Sequence, residues 1–319
     1  IDSMEGITDV SGSGEVLAKT SADIHWLIIP APGSAGQLAS GKLYLVGATL
    51  RYNLGGEANV TEITPDTIYV KPLPELSLDY FLTRDVYADD PFTLEIEPSE
   101  FFTLGVRVSN NGYGTAKKLT IDSAQPKIIE NEQGLLIGFE IIGSYLNDEA
   151  VKNSLLIDFG DIPPAESKTG RWVMQTTLSG TFTEIEASFT HADELGGQLT
   201  SLIKDINTHL LLKDVIVDLP GRDKVRDFLA KDGDILRVYE TDDVDTVVTD
   251  QSEQSTLVLD QQNSSQALYD LTTPQTAGLM YVQFPDPYAG SKEIKSVTRS
   301  DGKRILPENA WLSKTRNAR

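Results

Sequence analysis

The chain contains no cysteine. That excludes disulfide bonds, thiol nucleophiles and cysteine-ligated metals. Histidine is nearly as scarce, with residues at 25, 191 and 209 only. A histidine-rich zinc site is therefore not expected, and proton-shuttle chemistry has few carriers. Tryptophan occurs three times, at 26, 172 and 311. No apolar run approaches the ~20 residues of a membrane-spanning helix. The longest, such as Trp26–Ile29, are the length of a strand. Basic residues are few: 27 Lys and Arg stand against 48 Asp and Glu, for a net charge of −21. Such a surface repels phosphate backbones and anionic membranes, so neither nucleic acid binding nor membrane insertion is expected.

What the chain does have is strand-length punctuation. It has 319 residues, of which 39% are hydrophobic, enough to bury real cores in two or three domains. Short runs of alternating polarity are broken repeatedly by Gly, Pro, Asn and Asp. Leu50, Tyr52 and Leu54 alternate with Thr49, Arg51 and Asn53, the period-two mark of a half-buried strand. Gly55-Gly56 follows at once and signals a two-residue hairpin. Ser300-Asp301-Gly302-Lys303 carries a second hairpin signal.

These features predict an all-β protein of tandem immunoglobulin-like β-sandwich domains with few short helices. Residues 1–74 read as a small β-sandwich. Pro72 and Pro74 stiffen the chain and mark a boundary. Residues 75–197 hold seven strand-length runs, the number in an immunoglobulin-like sandwich. Residues 198–319 read as a linking segment plus a third β-rich domain with a less complete strand pattern. Helical spacing is rare. The best candidate is Leu199, Leu202, Ile203, Ile206 and Leu210, and a second short helix is expected after Pro220, ending near Gly233.

One stretch carries a family resemblance. "LGVRVSNNGYGTAKKLTI", from Leu104 to Ile121, is a strand, a Gly- and Asn-rich turn and a second strand. "IDFGDIPPAESKTGRWVM", from Ile157 to Met174, is a corner leading into an aromatic strand. At about this separation the two elements resemble the CARDB-type, immunoglobulin-like modules of large exported bacterial surface proteins. Two departures are Pro164 where the family commonly has glycine, and a longer middle from Ile128 to Asn153. The resemblance implies an extracellular or cell-surface structural or adhesive segment, acting by spacing, display or self-assembly. Its partners would be other modules of the same protein or neighbouring copies. The chain itself reads as a piece of something longer. By its own chemistry the turn at Asn110–Gly114 is expected to be a hairpin connector, tight at Asn111-Gly112 with at least one residue at positive φ.

Candidate chemistry is carboxylate-based. Asp232, Asp234, Asp242, Asp243 and Asp245 lie in two nearby acidic turns and are candidate calcium ligands, since calcium takes six to eight oxygens. They lack the spacing of an EF-hand loop. Asp158 and Asp161 could act as paired acids in glycoside hydrolysis, but they sit in the corner that the module resemblance accounts for. His191 beside Asp193 and Glu194 reads as a surface turn. No Gly-x-Ser-x-Gly elbow or P-loop is present. The chain is therefore not expected to be an enzyme. A rival function is a carbohydrate-binding accessory module for surface glycans. It would need exposed rings such as Tyr113, Tyr145, Tyr288 and Trp311. Trp172 is expected in a core.

Overall fold

A computed structural model describes residues 1–31, 33–122, 138–181, 202–242 and 244–313. Among them the secondary structure is almost entirely β. The one helical element is a single 3₁₀ turn, Pro307–Asn309. No helix among the described residues is long and apolar enough to cross a membrane. The chain divides into two units: residues 1–74 with 112–114, and residues 75–111 with 115–319.

The first unit contains β1 (Ser3–Glu5), β2 (Asp23–His25), β3 (Lys42–Val46), β4 (Thr49–Leu54), β5 (Glu57–Glu62) and β6 (Asp66–Val70). They pair antiparallel as three separate two-stranded sheets, β1–β2, β3–β6 and β4–β5. The Gly55-Gly56 signal is realised: Leu54 faces Glu57, and both glycines have positive φ, at 62° and 90°. Among the described residues no core joins the ribbons. Ala35 is the unit's one buried hydrophobic residue among those described. Leu43, Leu45, Leu50, Tyr52, Leu54 and Tyr69 are all exposed. The half-buried strand expected at Thr49–Leu54 is thus exposed on both faces. Apolar alternation makes one face ready for burial, but burial needs a second layer. Among the described residues these ribbons have no such layer.

The second unit contains β7 (Leu76–Leu82), β8 (Asp85–Val86), β9 (Phe102–Asn110), β10 (Ala116–Asp122), β11 (Phe139–Leu146), β12 (Glu149–Val151), β13 (Leu156–Ile162), β14 (Ser167–Thr176), β15 (Gly180–Thr181), β16 (Ile203–Val215), β17 (Asp227–Asp232), β18 (Ile235–Tyr239), β19 (Asp245–Asp250), β20 (Thr256–Gln262), β21 (Ala267–Thr272) and β22 (Leu279–Tyr281). Ten of these form one mixed sheet, in the order β12-β11-β14-β9-β7-β16-β17-β18-β19-β22. The pairs β7–β16 and β19–β22 are parallel and the others antiparallel. Strands from both sides of the boundary expected at 197/198 therefore share this sheet, joined edge to edge by β7 and β16.

The largest core lies on one face of the sheet. Leu78 and Tyr80 from β7, Val106 and Val108 from β9, and Trp172 and Met174 from β14 face Ile121, Ile157 and Phe159 of the two-stranded β10–β13 sheet. Trp172 is fully buried, as expected, and its indole N–H donates to the Ser154 carbonyl at 2.9 Å. A second cluster gathers Phe81, Leu211, Phe228, Ala230 and Tyr239. Phe228 rests on β9 because residue 105 is glycine. A Cβ there would lie 2.3 Å from the Phe228 ring. The third cluster holds Val215, Leu229, Leu236, Val238 and Val248, with Trp311 packed against it.

Three expectations are corrected. Residues 203–215 are strand, not helix, and so is the segment 227–232 before Gly233. Phe228 and Ala230 point into one cluster and Leu229 into another. That explains the unbroken apolar run: a strand buried on both faces has no reason to alternate. The turn after β9 is not a hairpin either. β9 pairs with β7 and β14, whereas β10 pairs with β13, so Asn110–Gly114 carries the chain from one sheet to another. None of residues 110–114 has positive φ. Gly114 serves a close approach instead, since a Cβ would lie 2.1 Å from the Pro72 carbonyl oxygen. Asn110 staples the corner. Its amide donates to the carbonyls of Ile162 (2.9 Å) and Pro163 (3.1 Å), and its side-chain oxygen accepts from the Glu75 N–H at 3.2 Å.

Candidate functional site

The richest concentration of polar chemistry lies on the sheet face opposite the largest core. β7 and β9 are buried on both faces, so the residues between their core-facing positions also lie inside the protein. Two of them are charged, Asp79 and Arg107. An isolated buried charge is costly, and each here is held by opposite charge. Arg107 Nη2 donates to Asp79 at 2.9 Å, and Nη1 donates to Asp245 at 2.6 Å and to the Glu240 carbonyl at 3.3 Å. The guanidinium also lies over the Tyr239 ring, 5.1 Å from its centroid.

His209 of β16 extends the network. Its Nε2 lies 3.2 Å from Asp79 and its Nδ1 lies 2.6 Å from Asp232. The imidazole stacks on Phe81, and the Tyr239 hydroxyl donates to Asp232. Asn207 donates to Asp79 at 3.0 Å. The result is a continuous chain of partners, Asp232–His209–Asp79–Arg107–Asp245, drawn from β17, β16, β7, β9 and β19.

The electrostatics follow from this arrangement. Burial alone would lower the His209 pKa, but Asp79 and Asp232 together hold it above its ordinary value. Burial would raise Asp79, and the hydrogen bonds from His209, Arg107 and Asn207 bring it down to about 2. Asp232 is likewise lowered, its burial outweighed by Tyr239 and His209. A doubly ion-paired imidazolium is a poor general base, because its proton is held by both carboxylates. The network is built to hold strands together.

The five acidic residues singled out in the sequence do not form one cluster. Asp232 and Asp234 lie at one end of β18, where Asp232 faces Ile235, and Asp245 faces Tyr239 at the other end. Asp234 is exposed in the turn. Asp242 lies 3.5 Å from Arg222, and Asp243 lies outside the described residues. Asp232 and Asp245 are connected to each other only through the buried chain, so the protein's own cations meet them. Among the described residues, no three His, Asp or Glu side chains are grouped as a metal centre. Asp161 is engaged by Lys117 at 2.7 Å and by the Lys118 N–H, while Asp158 accepts from the Gly160 N–H. His191, Asp193 and Glu194 lie outside the described residues.

Sequence reasoning missed His209, which has two acid partners far away in the chain. A signal was present: Asp79 interrupts the apolar run Leu76–Leu82, and Arg107 interrupts Leu104–Val108. Three further carboxylates near this face are buried (Asp227 and Glu240) or half-buried (Asp214). Asp214 is raised by burial, with Arg171 opposing, and its Oδ1 accepts no hydrogen bond among the described residues. Glu240 is raised for the same reason and pairs with Arg222 at 3.3 Å. Asp227 is pushed up to about 7, mainly by burial, although the Thr241 N–H donates to it. Comparisons with protein-family models, with curated proteins and with solved structures found no match, so the site is read from its own residues.

Proposed function

We infer that the chain is a non-catalytic structural segment that works through its surfaces, with its N-terminal ribbons completing their packing on neighbouring chains. The observation that carries this is the first unit. Its ribbons expose Leu43, Leu45, Leu50, Leu54 and Tyr69 and bury one hydrophobic residue, Ala35. A two-stranded ribbon is marginal in water by itself, and exposed apolar side chains on such a ribbon favour an interaction site. The buried ion-pair network supports the same reading, because its titratable groups hold one another instead of presenting a reactive atom. The resemblance of Leu104–Ile121 and Ile157–Met174 to CARDB-type modules adds the setting: an immunoglobulin-like segment of an exported bacterial surface protein, outside the cell. The charge of −21 argues against nucleic acid as a partner.

A glycan-binding module is the rival reading. Tyr113 is exposed, but Trp311 packs in the third cluster beside Tyr281, 6.2 Å between ring centroids. The structural reading is therefore preferred. Sedimentation velocity of the full chain across a wide concentration range tests it. The expected result is a mass that rises above 34.9 kDa with concentration. A chain that stays monomeric while its N-terminal ribbons are fully protected from solvent exchange would overturn it.

A further inference from the structure

We propose that the open edge of β4 is a homotypic contact, pairing antiparallel with β4 of a second copy about a two-fold axis at Tyr52. This rests on the assembly reading above and names its partner. Each strand of the β4–β5 ribbon has one unpaired edge. Natural proteins blunt such edges with bulges, proline or charge. The β4–β5 register runs without a shift from Thr49↔Glu62 to Leu54↔Glu57, and neither strand contains proline. The exposed ribbon of the second unit, β20–β21, is blunted by a register shift between Leu259 and Gln261 and by Asp260 and Asp270.

The order of residues in β4 identifies the partner. Thr49-Leu-Arg-Tyr-Asn-Leu54 is nearly symmetric about Tyr52. Antiparallel pairing centred there sets Leu50 opposite Leu54 of the partner, Tyr52 opposite Tyr52, and Arg51 opposite Asn53. Every apolar residue meets an apolar residue, and no like charges are opposed. Leu50, Tyr52 and Leu54 are 49%, 40% and 70% exposed, so the face is available. Backbone geometry agrees. Leu54 and Glu57 close a two-residue loop as a hydrogen-bonded pair, so alternate residues Leu54, Tyr52 and Leu50 direct their amides towards β5. Arg51 and Asn53 turn theirs to the open edge, and a centre at Tyr52 makes these two a hydrogen-bonded pair across the axis. β5 fits a copy of itself badly: its symmetric pairing would set Glu57 against Glu62. The contact also falls on a segment with few charges, which matters for two molecules that each carry −21. The product is a four-stranded sheet, β5-β4-β4-β5, whose two central strands carry an apolar stripe flanked by Thr61, Asn59 and Glu57 of each β5.

The absence of native cysteine makes the test clean. Tyr52→Cys and Val60→Cys are each introduced into the full chain and oxidised mildly, and association is followed by sedimentation. Paired residues at the axis lie about 4.5 Å apart between Cα atoms, within disulfide reach. Val60 on β5 is three strand spacings from its counterpart, about 14 Å, and out of reach. The expected result is a disulfide dimer for Tyr52→Cys only, and roughly a tenfold or greater loss of affinity for Tyr52→Lys, which sets two ammonium groups face to face. Association that persists without the Tyr52→Cys link and ignores Tyr52→Lys overturns the β4 contact and leaves the assembly reading standing. A monomer with β4 unprotected from exchange also overturns the homotypic contact alone. A monomer with β4 already protected overturns both.

Discussion

Two side chains show how this protein handles charge that it has buried. His209 is held charged between Asp79 and Asp232, whereas Asp227 keeps a proton far above the ordinary carboxylate range. Both shifts are upward, and they act in the same direction on stability. A group whose folded pKa is raised contributes stability that is complete below its unfolded pKa and is lost as pH rises through the folded value. For Asp227 the loss runs from 3.8 to about 7. For His209 it begins at 6.5 and continues through the raised value. Asp79, held at about 2, acts oppositely, and its contribution is lost as pH falls from 3.8 through that value. The melting temperature should therefore be highest at about pH 4 and fall as pH rises through about 7 and on through the raised His209 titration. Asp227→Asn should flatten the fall below about pH 7, and His209→Gln should flatten it above. A melting temperature that climbs from about pH 5 to pH 8 in the unaltered protein would contradict the burial of these groups.

At the scale of elements, the seam between β7 and β16 decides the architecture of the second unit. It is a parallel pair running from Leu76↔Ile203 to Leu82↔Leu210. A cysteine pair at Ser77 and Asp205, which are register partners, should form a disulfide in the folded protein without loss of melting temperature. Two free thiols after mild oxidation would show that the seam is misplaced. This seam was also the element least legible in the sequence. The turns could be read, because Gly-Gly and Asp-Gly impose their geometry locally: Gly55-Gly56 closes β4–β5, and Gly302 has φ of 86° beside the bridge between Thr298 and Arg304. β7, β9 and β14 could be read from their apolar runs. β16 could not, because its register shift against β7 between Ile203 and Asp205 falls inside the run Leu202, Ile203, Ile206 and Leu210, whose spacing imitates a helix. The charge network was illegible for a different reason. Arg107 meets a partner 138 positions away, Asp245, and nothing local to either residue announces the pairing. Asp79 and Arg107 inside apolar strands were the only trace.

At the scale of the whole molecule, the two units differ in how they satisfy the hydrophobic effect. The second unit encloses three apolar clusters and seals its buried charges with partners. The first presents ribbons whose apolar side chains are exposed among the described residues, and burial is the term that stabilises a fold against chain entropy. Hydrogen exchange read residue by residue on the dilute, monomeric full chain tests this contrast most directly. The account predicts strong protection of the β7, β9 and β14 amides and little protection anywhere in β3–β6, with β4 becoming protected when the protein is concentrated. Protection of β3–β6 in the dilute monomer, equal to that of β7 and β9, would show that the first unit is complete by itself and would contradict the proposal that it is finished by a neighbour.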